Sequence, residues 1–162
     1  MSRKKHHGGW VILTSLLVGL MFTIMPLPSW AVAWRPDWVA LILLYWCIAL
    51  PQRVGITSAW LVGIFEDILT DTLLGQHSLS LICLSYISVK LHRRIRAFPI
   101  WQQAVGVFVL MLLSEILSVW IRSLLGAQHP DWSFSYPAIS SMLLWPWIFV
   151  MLRDIRRMYH VF

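Results

Sequence analysis

Charged residues are too few here to coat a water-soluble surface. Asp, Glu, Lys and Arg make up 12% of the 162 residues against 59% hydrophobic, and the mean hydropathy is +0.71. A soluble domain of this length could not bury so much apolar surface, so lipid must be part of the solvent. Acidic residues are scarcer still, seven against thirteen Lys and Arg, for a net charge of +6. No basic face with stacking aromatics stands apart from the apolar runs, which excludes a nucleic-acid binder. Interleaved basic residues read instead as topology signals and contacts to anionic lipid. There are two cysteines, Cys47 and Cys83, each inside an apolar run, so neither a disulfide framework nor a CxxC site is present. The six histidines lack an i, i+4 pair, and no Gly-rich phosphate loop, G-x-S-x-G elbow or haem motif occurs. The sequence carries no catalytic signature, and neither a cofactor nor a metal is expected.

What is present is a series of apolar runs. They cover residues 10–25, 38–50, 55–74, 78–91, 100–125 and 137–152, and predict one all-α domain over 1–162, a bundle of six transmembrane helices. Pro26 and Pro28 stop the first run, and Pro51 stops the second. The second reaches only ~20 Å as a helix, so it must thin the bilayer, borrow flanking residues or sit inside the protein. Arg3, Lys4 and Lys5, Arg53, the basic loop expected at 90–96, and Arg153, Arg156 and Arg157 would share one side under six crossings. That side holds eleven of the thirteen Lys and Arg, which places both termini in the cytoplasm. Trp30, Trp34, Trp38 and Trp132 fall near the outer boundary and Trp10 and Trp101 near the inner one, as interfacial anchors do. Ala31, Val32 and Ala33 imitate a secretory cleavage site, but the long first run and the five that follow favour a retained span.

The third run is the least expected stretch, because it holds Glu66, Asp67 and Asp71. Carboxylates at membrane depth are expensive, on the order of 2.5 to 3.5 kcal/mol each, and are functional candidates. Glu66 and Asp67 lie ~17 Å from the cytoplasmic end of their run and Glu115 of the fifth ~21 Å from its own, so they can share a depth. Read as helical throughout, Asp67 and Asp71 share a face, and Glu115 and Arg122 share another. The functional reading is a polar pocket, open outward, made of Gly63, Glu66, Asp67, Asp71, Gly75 and Glu115 and offset by Arg122. The structural reading puts Asp71 in the external loop, lets Arg122 snorkel to the headgroups, and has Asp67 cap or bridge helices. Gly19, Gly63 and Gly106 sit mid-run, where a missing side chain lets helices approach closely. Arg35, Pro36 and Asp37 are candidate external contacts, and Arg93, Arg94 and Arg96 candidate cytoplasmic ones. The basic clusters at 90–96 and 153–157 either dock a cytoplasmic protein or hold anionic headgroups.

Several strings together resemble the rod shape-determining protein MreD family of Gram-negative bacteria, in its gammaproteobacterial form. They are Arg35, Pro36, Asp37 and Trp38; Leu41 to Trp46 with Ala49, Leu50, Pro51 and Arg53; Gly63 with Asp67, Leu74 and Gly75; Trp101 to Ala104; and Leu144 to Phe149. Their order and spacing cover nearly the whole chain. The resemblance implies a non-enzymatic scaffold of the bacterial inner membrane, required for rod shape and lateral peptidoglycan synthesis in complex with MreC. It would work beside MreB, RodA and the RodA transpeptidase partner, with a homo-oligomer possible. The architecture is also similar to the six-helix substrate-binding subunits of energy-coupling-factor transporters, which makes a small-ligand-binding transporter subunit the alternative. In the family pattern Asp67 is the carboxylate with a place, and Glu66 and Asp71 have none.

Overall fold

The computed structural model describes residues 8–126 and 132–161; the basic amino-terminal cluster Arg3, Lys4, Lys5, His6 and His7 and the side chain of Trp132 lie outside what it describes. All regular structure among the described residues is helical. In order come α1 (Gly9–Ile24), the short α2 (Ser29–Val32), α3 (Trp38–Ala49), α4 (Ile56–Leu69), α5 (Gln76–Ala97), α6 (Ile100–Leu124), a 3-10 turn (Trp132–Ser135) and α7 (Tyr136–Met158). Two of these, α6 and α7, are long and apolar enough to cross a membrane, and α1 and α3 are shorter apolar helices.

Punctuation residues explain most boundaries. The prolines at 26 and 28 follow α1, Pro51 follows α3, and Pro99 both ends α5 and precedes α6, as a residue without an N–H and with fixed φ does. Three sequence expectations need correction. The basic stretch 90–96 is not a loop: α5 runs on to Ala97, because no helix breaker occurs before Pro99 and solvated Lys and Arg are good helix formers. The third run does not stay helical to residue 74. α4 stops at Leu69, and Asp71 takes φ +52, in the left-handed region, so Asp67 and Asp71 do not share a helix face. Finally, α7 extends to Met158 and carries Arg153, Asp154, Arg156 and Arg157 on its last turns.

The short α3 sits at the centre. All residues from Val39 to Ala49 are buried, and α1, α5 and α7 pack on it. Its length is therefore set by neighbouring helices more than by lipid. Around it α4 packs on α5, α5 on α6 and α6 on α7. The interfaces of α5 are lined with small polar residues, Ser78, Ser80, Ser85 and Ser88, all buried. Ser80 meets Ser118 of α6 at 2.6 Å, and Ser85 meets Cys47 of α3 at 3.4 Å. Small side chains of this kind let helix backbones approach where no hydrophobic force drives association. Trp46 of α3 donates its indole N–H to Ser15 of α1 at 2.8 Å.

Close approach is most demanding at Gly63. A Cβ there would run into the backbone of Ser78 on α5, 2.8 Å from its nitrogen. Gly19 faces the flexible tip of Ile42. Gly106 has nothing within 4 Å of where a Cβ would stand, so its expected role in close packing is corrected: that face of α6 has no neighbouring helix against it.

Candidate functional site

Gly63 and Asp67 are one helical turn apart on α4 and both meet the start of α5. Gly75, the residue before α5, has φ +104 and no side chain with which to cap the helix. The first N–H groups of a helix need acceptors, and Asp67 supplies them from outside. Its Oδ2 accepts from the backbone N–H of Gly75 at 2.8 Å and the Ser78 hydroxyl at 3.1 Å. Its Oδ1 accepts from the His77 backbone N–H at 2.9 Å and the Thr72 hydroxyl at 3.2 Å, and the His77 ring Nδ1 stands 2.8 Å from it. The carboxylate is fully buried. A negative charge at a helix N-terminus also complements the macrodipole. With five partners on two oxygens, its acceptor capacity is taken up within the chain.

Glu66, next along α4, differs. It is 3% exposed, and its Oε2 has no hydrogen-bond partner. It lies in electrostatic range of Asp37, Asp67 and Glu115, so the fold brings acids from α3, α4 and α6 toward one region. Among the described residues no group of three or more His, Cys, Asp and Glu could hold a metal ion. Glu115 is half-buried on α6, Arg122 is exposed on the last turn of α6, one turn beyond the Ser118 that meets Ser80 of α5, and Asp71 is exposed in the turn after α4. The structure therefore joins Gly63, Asp67 and Gly75 in one junction, sets Glu66 and Glu115 near it, and leaves Asp71 and Arg122 on the surface.

The arginines near helix ends follow the same logic with the opposite sign. Arg35 donates to the carbonyls of Thr23, at 2.6 Å, and Met25, where α1 ends ahead of Pro26. Arg96 of α5 donates to the carbonyls of Ile48, at 2.7 Å, and Ala49, the last residues of α3. A guanidinium presents several N–H donors in a fixed fork, which suits the orphan carbonyls of a C-terminus. Asp37 caps the other end of α3, accepting from the Ala40 N–H at 3.0 Å. Arg35, Asp37 and Arg96 are thus engaged inside the chain, Pro36 is half-buried between the first two, and Arg93 and Arg94 remain exposed.

The residues that the sequence did not single out are Thr72, His77 and Ser78, which complete the Asp67 junction. A signal for His77 and Ser78 exists: they stand with Gln76 in a short polar cluster directly after Gly75, whereas Thr72 precedes the glycine and has no such mark. For Tyr45, buried on α3 beside Phe149 at 5.7 Å between ring centroids, no local signal separates it from its apolar neighbours.

No solved structure matches the chain. The rod shape-determining protein MreD family matches residues 4–155. The rod shape-determining protein MreD of Haemophilus influenzae is 30% identical over 148 residues, covering 91% of this chain and 91% of that protein. With a match that reaches into all seven helices, the chain belongs to the rod shape-determining protein MreD family.

Proposed function

We propose that this chain is a non-enzymatic scaffold of the bacterial inner membrane that supports rod shape and lateral peptidoglycan synthesis in complex with MreC, with MreB, RodA and the RodA transpeptidase partner in the same machinery. Membership of the MreD family over residues 4–155 is the observation that carries this reading. The chain crosses the bilayer six times, by α1, α3, α4, α5, α6 and α7, with both ends cytoplasmic. Eleven basic residues against two support that sense. The non-enzymatic reading is supported by how four of the charges are used: Asp67, Arg35, Arg96 and Asp37 each satisfy a helix end, which is work for a scaffold.

The unpartnered Oε2 of Glu66 is the observation that favours a small-ligand-binding transporter subunit instead. Native mass spectrometry of the chain extracted in mild detergent from cells making their own partners separates the two. The expected outcome is co-extraction of MreC with no small adduct. A vitamin-sized adduct without MreC would overturn the scaffold reading.

A further inference from the structure

At the end of the bundle where α3, α5 and α7 finish, a recess of about 260 Å³ opens between them. Arg96 of α5 and Arg153 and Arg156 of α7 line it, with Tyr45 and Phe149 at its wall. A recess of about 550 Å³ along α1 is lined by Val18, Met21, Phe22 and other apolar residues, in contrast to the three arginines gathered here. Three guanidiniums around one small space repel each other, and the chain does little to offset them. Asp154 stands 3.4 Å from Arg153 Nε, with side chains 39% and 58% exposed, and such exposed pairs contribute roughly 0 to 1 kcal/mol. Among the described residues Arg156 has no ion-pair partner.

The recess is also built, rather than a chance gathering of surface charge. Arg96 is held in place by the carbonyls of Ile48 and Ala49. Tyr45 is 2% exposed, is fixed edge-on against Trp46 and Phe149, and its hydroxyl makes no hydrogen bond among the described residues. A pinned guanidinium, two further guanidiniums and an uncommitted phenol form a donor set suited to a tetrahedral oxyanion such as phosphate. Phe98, two residues beyond Arg96 at the end of α5, is 48% exposed, and offers apolar surface at the same end of the bundle as the charged recess. That combination fits a headgroup with acyl chains better than a free anion.

We propose that this recess binds the phosphate headgroup of an anionic glycerophospholipid, with Arg96, Arg153, Arg156 and Tyr45 as its donors. The leaflet is the cytoplasmic one, a point that rests on the six-crossing reading; the binding itself does not.

The test uses the full chain purified in mild detergent, titrated with phosphatidylglycerol or phosphatidylcholine, with lipid adducts read by native mass spectrometry. Phosphatidylglycerol should be retained in preference to phosphatidylcholine. The double variant R153Q/R156Q should weaken retention about tenfold and Tyr45→Phe about threefold, as lost charge-assisted and neutral hydrogen bonds would. The variant R93Q/R94Q removes the same charge from exposed positions of α5 and should bind as wild type. An equal loss in R93Q/R94Q, no preference between the lipids, or displacement of the lipid by millimolar inorganic phosphate would each overturn the proposal. Tyr45→Phe keeps the test decisive if the double arginine variant does not fold. Detergent binding is blind to sidedness, so a wrong topology would show in reporter fusions and not here.

Discussion

Five partners on a buried carboxylate make Asp67 the most heavily committed polar side chain described in the chain. Replacing it with alanine leaves the N–H groups of Gly75 and His77 and the buried Ser78 hydroxyl without an acceptor. Loss of a cap together with stranded donors costs about 2 to 4 kcal/mol. Asp67→Asn keeps the shape but must aim an NH2 at one of the surrounding donors, so it should fall between alanine and wild type. Ser78→Ala removes a single partner and should cost about 1 kcal/mol. Thermal unfolding of the detergent-solubilised chain ranks the four proteins, and an Asp67→Ala melting point equal to wild type would refute the capping role. Glycines give a paired prediction at the same scale. Gly63→Ala sets a methyl group against the Ser78 backbone and should destabilise by about 1 to 3 kcal/mol. Gly106→Ala enters open space and should be neutral, or stabilising by up to about 1 kcal/mol through helix propensity.

At the level of elements, α3 shows how a 12-residue helix can be the core of a membrane bundle. Its lateral surface is covered by helices, and its two ends are closed by Asp37 and Arg96. Arg96→Ala should free the Ile48 and Ala49 carbonyls and fray the last turn of α3. Arg96→Lys, with one point charge in place of a fork, should restore only part of the loss. Hydrogen exchange at the backbone amides of residues 46–50 reads this directly, and unchanged protection in Arg96→Ala would count against it. Part of this element-level picture was legible from sequence. Asp37 ahead of an apolar run and Pro51 behind it mark both ends of α3. The extent of α5 and α7 was not legible, because hydropathy follows the depth of the membrane whereas helical hydrogen bonding continues past the headgroups. The end of α4 was hidden by Leu73 and Leu74, which extend the apolar run although Thr70, Asp71 and Thr72 turn the chain. The caps provided by Arg35 and Arg96 reach 10 to 48 residues along the sequence, and no local pattern encodes such a partner. A capping or bridging Asp67 was one reading of the sequence, but α5 as the helix it caps was not legible: the N-cap residue of α5 is a glycine, so the acceptor had to come from another helix.

For the whole molecule, α6 shows the solvent most directly. Gln103, Ala104, Val107, Leu110, Met111, Ser114 and Ser118 form its buried face, while Trp101, Val105, Val109, Leu113, Ile116 and Trp120 are all exposed. In water the outer face would be the polar one; here the outer face is the more apolar, as a helix facing lipid requires. The same holds for α1, where Leu13, Leu17 and Met21 are exposed. If α1, α3, α4, α5, α6 and α7 each cross, the segments after α1, α4 and α6 are external and those after α3 and α5 are cytoplasmic. Alkaline phosphatase, active only outside the cytoplasm, discriminates the arrangement when fused at successive depths. Fusions after Trp34 and after Gly126 should be active, and those after Arg53, Arg94 and the carboxyl terminus inactive. Activity at the carboxyl terminus would mean an odd number of crossings and would place Arg153, Arg156 and Arg157 outside, against the charge distribution. Inactivity after Trp34 with the other results unchanged would instead mean that neither α1 nor α3 crosses and that the chain spans the membrane four times, leaving Arg35 to close the end of a helix that does not cross.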